Sequence, residues 1–221
     1  MTIRAEEGEM LEIEVEKSLL EANRMIAAAN RKTMERFGVR AIDVMGSVGS
    51  GKTSLIEEIV KRLKGRLRMA VIAGDVTTTI DADRIGRHGV PTVQVNTGRE
   101  CHLDALLVKR ALSRLNLDAL DVIFIENVGN LICPADFPLG ASRRVVVVSV
   151  TEGPYMVRKH PMIFMGADVI AINKIDLAEA MGVDPKRLAN DARRINPAIK
   201  AVYTNGKTGD GVKELIEALG L

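Results

Sequence analysis

The sequence has few aromatic residues and no tryptophan. Among its 221 residues, Phe, Trp and Tyr together make up 3%. Proteins that bind single-stranded nucleic acid stack the bases on aromatic rings, so this composition argues against that class. Long hydrophobic runs are also lacking, since residues 122–125 and 145–148 fall far short of the roughly 18 residues that a membrane span needs. We therefore expect neither nucleic acid nor a membrane as a partner.

The chain also has little net charge and few cysteines. The formal net charge is +2, which is too small to indicate a polyanionic partner. The first ten residues contain no apolar stretch that could serve as a signal sequence, which predicts a cytoplasmic protein. The two cysteines, Cys101 and Cys133, are then expected to be free thiols, metal ligands or small buried side chains rather than a disulfide.

Apolar residues make up 47% of the chain, enough to build the core of one domain. Short β-branched segments predict strands at residues 41–45, 69–73, 92–96, 121–126, 145–150, 169–173 and 201–204. Apolar residues at spacings of three and four predict helices at residues 9–37, 53–63, 103–115, 185–195 and 212–219. This alternation predicts a three-layer α/β fold, with a mostly parallel sheet of about seven strands and helices on both faces.

The first predicted helix stands apart from this alternation. Gly38 follows it and is expected to end it. We therefore predict an N-terminal helical extension at residues 1–38 and a single α/β domain at residues 39–221. The helix could dock a partner protein or pack on the sheet, and its sequence is compatible with both.

A phosphate-binding loop follows the first predicted strand. The segment fits the pattern G-x-x-x-x-G-K-[ST], and its residues are Gly46, Ser47, Val48, Gly49, Ser50, Gly51, Lys52 and Thr53, with Ser54 next. Glycines let backbone N–H groups surround the phosphates, while Lys52 reaches the β- and γ-phosphate oxygens and Thr53 can ligate Mg²⁺. The dinucleotide pattern G-x-G-x-x-G fails at Ser54, and a flexible turn before a helix is the simpler alternative.

A second motif follows the sixth predicted strand. Asn173, Lys174 and Asp176 fit the N-K-x-D motif with which GTPases bind guanine. The Asp176 carboxylate can accept hydrogen bonds from guanine N1–H and its exocyclic amine, a pair that adenine does not offer. The end of the last strand would complete the base pocket, with Thr204, Asn205 and Gly206.

Two acidic residues at strand ends lie between these motifs. Asp75 follows the second strand, and Glu126 ends the fourth, three residues before Gly129. We expect both carboxylates to act with Lys52 in catalysis and, with Thr53, in Mg²⁺ binding, although capping of the following loops is the alternative for each. Glu126 to Gly129 is similar to the D-x-x-G loop of GTPases, but the longer Glu favours a contact to the metal through water.

Sulfur and imidazole side chains lie beside these loops in the sequence. Cys101 and His102 are adjacent, and Cys133 lies seven residues after Glu126. Such a set suits Zn²⁺ or Ni²⁺. Neither C-x-x-C nor H-x-x-x-H occurs, so the residues alone favour the alternative of buried cysteines that bind no metal and a solvated histidine.

Taken in this order, the phosphate loop, the Asp75 segment, the Glu126 loop, the N-K-x-D motif and the Cys101, His102, Cys133 set resemble the HypB family of hydrogenase nickel-incorporation GTPases. The resemblance implies a P-loop GTPase domain at residues 39–221 that carries a nickel or zinc site formed by Cys101, His102 and Cys133. It further implies a GTP-hydrolysing metallochaperone that helps to insert nickel into [NiFe] hydrogenase, with nucleotide-controlled dimerisation through the metal-site face. Expected partners are a nickel accessory protein and the hydrogenase large subunit, and expected cofactors are GTP/GDP, Mg²⁺ and Ni²⁺ or Zn²⁺.

Three alternatives stay open. A urease-type nickel accessory GTPase resembles this chain, but that group carries Cys-Pro-His where this chain has Cys133, Pro134 and Ala135. A P-loop small-molecule kinase would share the phosphate loop but not the guanine motif. A metal-binding module without catalytic activity is the third. Asn130 stands where many GTPases place the glutamine that orients water, so slow intrinsic turnover is expected.

Overall fold

Seven parallel strands form the centre of the protein. A computed structural model describes residues 7–98 and 100–221, with side chains from residue 18 onward, so residues 1–6 of the predicted extension lie outside it. The strands are β1 (Arg40–Gly46), β2 (Met69–Asp75), β3 (Thr92–Asn96), β4 (Val122–Glu126), β5 (Arg143–Ser149), β6 (Val169–Asn173) and β7 (Lys200–Tyr203). Their order is β3-β2-β4-β1-β5-β6-β7, and every pairing is parallel. The carboxyl ends of all seven strands therefore meet along one edge.

Helices connect the strands. They are α1 (Glu7–Arg36), α2 (Lys52–Leu63), α3 (Ile80–Gly86), α4 (Ala105–Leu112), α5 (Met156–Lys159), α6 (Pro161–Met165), α7 (Pro185–Ile195) and α8 (Val212–Leu219). Single 3₁₀ turns lie at Leu117–Ala119, Cys133–Ala135, Val150–Glu152 and Ile175–Leu177. The predicted helix at residues 103–115 is shorter in the structure. It begins at Ala105 because the Asp104 side chain accepts a hydrogen bond from the Leu107 amide and caps α4, and it ends at Leu112.

Each face of the sheet is covered by apolar helix surfaces, as the predicted three layers require. One core contains Phe124 of β4 together with residues of α2, α3 and α8. On the opposite face, α1 and α4 pack over one half of the sheet, and α6 and α7 pack over the other half. Neighbouring strand residues such as Phe124 and Ile125 belong to opposite cores, because side chains alternate along a strand.

The first helix packs on the domain through hydrogen bonds as well as apolar contacts. Asn30 Nδ2 donates to the backbone carbonyls of Ala105 at 2.8 Å and Leu139 at 3.2 Å. Asn23 Oδ1 accepts a 2.8 Å hydrogen bond from the Ala105 amide, the first residue of α4. These contacts fix the carboxyl-terminal half of α1 on the domain. None of the described helices is long and apolar enough to cross a membrane.

Candidate functional site

A cleft of about 360 Å³ lies at the carboxyl edge of the sheet. It is lined by the phosphate-binding loop and by the ends of β2, β4 and β6, and the predicted residues in its wall are Val48, Gly49, Gly51, Lys52, Thr53, Ser54, Asp75, Glu126, Gly129 and Lys174. Segments that are far apart in the sequence thus meet at one site. Ligands of open α/β sheets bind at this edge, where the strand order changes direction.

The phosphate-binding loop has the backbone conformation that its glycines were expected to permit. Gly51 has φ 100° and precedes α2, and a Cβ there would collide with Asn173 Nδ2. Lys52 is buried, and its Nζ donates to the carbonyls of Gly46 at 3.1 Å and Ser47 at 3.0 Å. Burial lowers the pKa of Lys52. The loop therefore holds its cation at the base of the cleft, directed at its own backbone.

Thr53 and Glu126 lie together at the end of the cleft. The Thr53 hydroxyl donates a 2.7 Å hydrogen bond to Glu126 Oε1. Glu126 Oε2 is buried and has no hydrogen-bond partner among the described residues. Burial raises the pKa of the Glu126 carboxyl to about 7. A buried carboxylate oxygen without a partner, next to a hydroxyl, is a donor set that fits a hard divalent cation such as Mg²⁺.

Asp75 lines the same cleft but is bound to its own loop. Its carboxylate accepts hydrogen bonds from the amides of Val76 at 2.6 Å and Thr78 at 3.2 Å, and from the Thr78 hydroxyl. The capping role considered for Asp75 is thus present in the structure. A role in metal binding stays a prediction.

The loop after β4 packs directly on the phosphate-binding loop. A Cβ on Gly129 would collide with Val48, and the Asn130 amide donates a 3.1 Å hydrogen bond to the Gly46 carbonyl. The Asn130 side chain is itself occupied, because Nδ2 lies 3.4 Å from the Cys101 carbonyl and Oδ1 accepts from the Ile132 amide. Asn130 therefore contacts both the phosphate-binding loop and the cysteine segment.

The N-K-x-D segment closes the other side of the phosphate-binding loop. Asn173 Nδ2 donates to the Ser50 carbonyl at 2.8 Å, and Lys174 Nζ donates to the Gly49 carbonyl at 2.7 Å. Lys174 adopts the left-handed conformation, with φ 59°, which is rare for a residue with a Cβ and is typical of functional loops. Asp176 is exposed at the surface beyond this contact. Its carboxylate is accessible to a ligand.

Two of the residues predicted to complete the base pocket, Thr204 and Gly206, form hydrogen bonds with Asn173. Asn173 Oδ1 accepts hydrogen bonds from the Thr204 hydroxyl at 3.2 Å and the Gly206 amide at 3.0 Å. Asn205 is buried, and its Oδ1 accepts from the Lys207 amide at 2.9 Å. Thr204, Asn205 and Gly206 do not line the cleft itself. Thr204 and Gly206 hold Asn173, and a contact to a base stays a prediction for all three residues.

The structure brings the two cysteines and the histidine together. Cys101 Sγ lies 2.8 Å from Cys133 Sγ and 3.9 Å from His102 Nδ1, and ligand atoms of all three residues lie within 4.8 Å of one another. Both cysteines are free thiols, and Cys101 is exposed. The His102 ring packs on Phe137 with a centroid distance of 3.9 Å. A soft or borderline divalent ion fits this set of atoms.

Glu152 is a site residue that was not predicted. Its carboxylate accepts a hydrogen bond from the Ser47 hydroxyl, and burial raises the pKa of Glu152 to about 7. It follows β5 and reaches the phosphate-binding loop because β5 lies beside β1. The spacing Ser149-x-x-Glu152, which forms a capping box in the structure, was the available signal for this turn.

Comparisons with known proteins agree with this arrangement. The family model described as "CobW/HypB/UreG, nucleotide-binding domain" matches residues 40–203. The probable hydrogenase maturation factor HypB of Methanocaldococcus jannaschii is 52% identical over 205 residues, which are 93% of each chain. The HypB crystal structure from Archaeoglobus fulgidus superposes with a TM-score of 0.85 at 44% identity, covering 90% of this chain and 98% of that one.

A third relative was crystallised with a metal. The structure of HypB from Helicobacter pylori in complex with nickel superposes with a TM-score of 0.85 at 32% identity, covering 90% of this chain and 93% of that one. The predicted P-loop NTPase fold is confirmed by these matches together with the all-parallel sheet. The chain therefore belongs to the HypB hydrogenase maturation factors, within the CobW/HypB/UreG family of P-loop proteins.

Proposed function

We propose that this protein is a GTP-hydrolysing metallochaperone that binds nickel or zinc and assists nickel insertion into [NiFe] hydrogenase. The carrying observation is the convergence of Cys101, His102 and Cys133 within 4.8 Å beside the cleft formed by the phosphate-binding loop. The nickel complex of the Helicobacter pylori relative supports nickel as the cargo. Two thiolates and an imidazole form a ligand set that Ni²⁺ and Zn²⁺ share.

Guanine is the base that the site favours. Lys174 and Asn173 hold the N-K-x-D segment on the phosphate-binding loop, and the Asp176 carboxylate, two residues after Lys174, is exposed. A carboxylate there accepts two hydrogen bonds from guanine but meets an acceptor, N1, on adenine. The nucleotide that the protein hydrolyses is therefore GTP, and the products are GDP and phosphate.

Thr53 and Glu126 are the residues that would hold Mg²⁺, with Asp75 as a further carboxylate in the same cleft. When bound, Mg²⁺ neutralises charge on the phosphate oxygens. Lys52 supplies a second positive charge, and we propose that its Nζ exchanges the Gly46 and Ser47 carbonyls for phosphate oxygens. Buried Glu126, at the end of β4 where the loop toward Cys133 begins, would be one of the residues that hold the ion.

Intrinsic hydrolysis is slow in this proposal. No glutamine follows Gly129, and the side chain of Asn130 is bound to the Cys101 carbonyl and the Ile132 amide. A side chain held in this way does not orient an attacking water. Acceleration would need a group from a second protein.

The metal-site face is the proposed dimer contact. Cys101 is exposed, and three ligands leave a tetrahedral ion with one open position. A second copy of the chain or a water molecule can fill it. A nickel accessory protein and the hydrogenase large subunit are the proposed partners for receiving and passing on the metal.

One experiment tests the metal and nucleotide functions together. Ni²⁺ and Zn²⁺ are titrated into the wild type and Cys133→Ala with GDP bound, while the mass in solution is recorded by light scattering. We expect Cys133→Ala to lose high-affinity metal binding and metal-dependent dimerisation while keeping GDP. Unchanged metal affinity in Cys133→Ala would overturn the metallochaperone assignment.

A further inference from the structure

A buried polar cluster contacts the two segments that carry Cys101, His102 and Cys133. Its centre is Asp43, in the middle of β1, whose side chain is only 1% exposed. Asn127 Nδ2 donates to Asp43 Oδ1 at 3.3 Å, and Arg144 Nε lies 3.5 Å from Asp43 Oδ2. We refer to Asp43, Asn127 and Arg144 as the β1 cluster. Burying a carboxylate in a sheet is costly unless charged and polar partners compensate it, and here Arg144 of β5 and Asn127, directly after β4, supply them.

One side of the β1 cluster reaches the segment that carries Cys101 and His102. Asn127 Oδ1 accepts a 3.0 Å hydrogen bond from the Leu103 amide, and Leu103 directly follows His102. The same oxygen accepts from the Val128 amide at 3.1 Å. Asp43 fixes the orientation of the Asn127 side-chain amide. Its carboxylate accepts a hydrogen bond from Asn127 Nδ2, which leaves Asn127 Oδ1 directed at the backbone N–H groups of Leu103 and Val128.

The other side of the cluster reaches the segment that carries Cys133. Arg144 Nη2 donates a 3.0 Å hydrogen bond to the Pro134 carbonyl, and Pro134 directly follows Cys133. The ion pair with Asp43 holds the Arg144 guanidinium in place. Only 20% of the Arg144 side chain is exposed. One buried carboxylate thus organises the backbone next to all three sulfur and imidazole groups.

We propose that Asp43 is a positioning residue for the metal site, acting through Asn127 on the Cys101–His102 segment and through Arg144 on the Cys133 segment. This inference rests on the proposed function, because it assigns a purpose to the cluster only if those three side chains bind metal. Asn127 also follows Glu126, so the cluster connects the metal segments to the end of the nucleotide cleft. Asn127 itself lines the nucleotide cleft, whereas Asp43 and Arg144 do not.

The test is a titration of the full chain with Ni²⁺ alone, followed by the near-ultraviolet absorption that arises when thiolates bind nickel. Arg144→Met removes the donor to Pro134, and Asp43→Asn removes the charge that holds Arg144 while keeping its size. We expect Ni²⁺ affinity to fall about 10- to 100-fold in both, the range typical for partners of metal ligands, with an altered absorption band and unchanged GDP affinity.

The chain offers a matched control at the neighbouring position. The Arg143 side chain forms an exposed ion pair with Asp168 and no hydrogen bond with Asp43 or Asn127, so Arg143→Met should bind Ni²⁺ like the wild type. Arg144→Lys keeps a cation near Asp43 and should recover part of the affinity. It also replaces Arg144→Met if that variant does not fold. Wild-type affinity and absorption in the folded Arg144 and Asp43 variants would overturn the positioning role.

Cys133→Ala separates the two levels of the proposal. If Cys133→Ala loses Ni²⁺ while the Asp43 and Arg144 variants keep it, the metal site stands and the positioning role fails. If Cys133→Ala binds Ni²⁺ like the wild type, the proposed function fails as well, and the positioning role fails with it.

Discussion

The Thr53 hydroxyl donates a 2.7 Å hydrogen bond to Glu126, which lies 73 residues later in the sequence. The contact forms because β4 pairs with β1 in the sheet, with Val44 in register with Glu126. It places the Glu126 carboxylate, at the start of the loop after β4, against Thr53 of the phosphate-binding loop. The next residue, Asn127, is bound to the backbone beside His102. Glu126 of the proposed nucleotide site is therefore one peptide bond away from a residue that holds the backbone next to the proposed metal site.

Lys52 is the first residue to test in the nucleotide site. Lys52→Ala should lower GTP turnover by about 100-fold or more, because it removes the positive charge held at the base of the cleft. Phosphate release measures the effect. Lys64→Ala is the control, because Lys64 is exposed, does not line the cleft, and donates from its Nζ to the His88 carbonyl. Equal turnover in Lys52→Ala and the wild type would contradict the assigned role.

Asp176 tests the choice of base. Asp176→Ala should weaken GDP binding by about 10- to 100-fold, since hydrogen bonds to a charged acceptor are lost, and should leave the weak binding of ADP unchanged. Fluorescence titration with labelled nucleotides measures both. Glu179→Ala, an exposed acidic residue three positions later, serves as the control. A parallel loss of GDP and ADP affinity would show that Asp176 does not select guanine.

The strands were predictable because their apolar runs are bounded by polar loops, and all seven occur close to the predicted positions. Helix α3 was not predicted, since Ile85 is its one buried residue, Ile80 is exposed, and the other residues of the segment are polar or small. Helices α5 and α6 were missed because four and five residues are too short to show a helical period.

Site residues that belong to a sequence motif were predictable, whereas residues that only the fold brings to the site were not. The phosphate-binding loop and the N-K-x-D segment are local patterns, and the structure places them in contact through Asn173 and Ser50. Asp43 belongs to no such pattern, and the Ser149-x-x-Glu152 pattern predicts only a turn. Asp43 lies in a strand that reads as apolar, and Glu152 reaches Ser47 only because β5 pairs with β1. The order of strands in a sheet is not encoded in local sequence.

Phe124 tests the packing that holds the sheet and α2 together. It is fully buried in the central core, so Phe124→Ala should lower the free energy of unfolding by about 3–5 kcal/mol. Urea denaturation followed by circular dichroism measures the change. Leu19→Ala, at a position that is 57% exposed, should change the free energy by less than about 0.5 kcal/mol. A small effect of Phe124→Ala would contradict the core described above.

Glu152 gives the protein a pH-dependent stability. Burial raises the pKa of this carboxyl from 4.5 to about 7, so between these values the folded chain holds a proton that the unfolded chain has lost. The free energy of unfolding therefore falls as the pH rises through this window. Denaturation of the nucleotide-free protein at pH 5 and pH 8 measures the fall.

Glu152→Gln should remove the part of this fall that Glu152 contributes, which we expect to be on the order of 2 kcal/mol. Glu126, whose pKa is also raised to about 7 by burial, keeps its own share in the variant. The exposed Glu214→Gln is the control. The same fall in Glu152→Gln as in the wild type would show that Glu152 ionises normally in the folded state.

The central claim is that nucleotide binding in the cleft and metal binding by Cys101, His102 and Cys133 affect each other. The connection runs through Glu126 and Asn127. The most direct measurement is the Ni²⁺ affinity of the Mg²⁺-containing protein, once with GDP and once with a non-hydrolysable GTP analogue. We expect the two affinities to differ by at least about 5-fold, and Ni²⁺ to change the ratio of the nucleotide affinities by the same factor. Equal Ni²⁺ affinity in both nucleotide states would contradict the account.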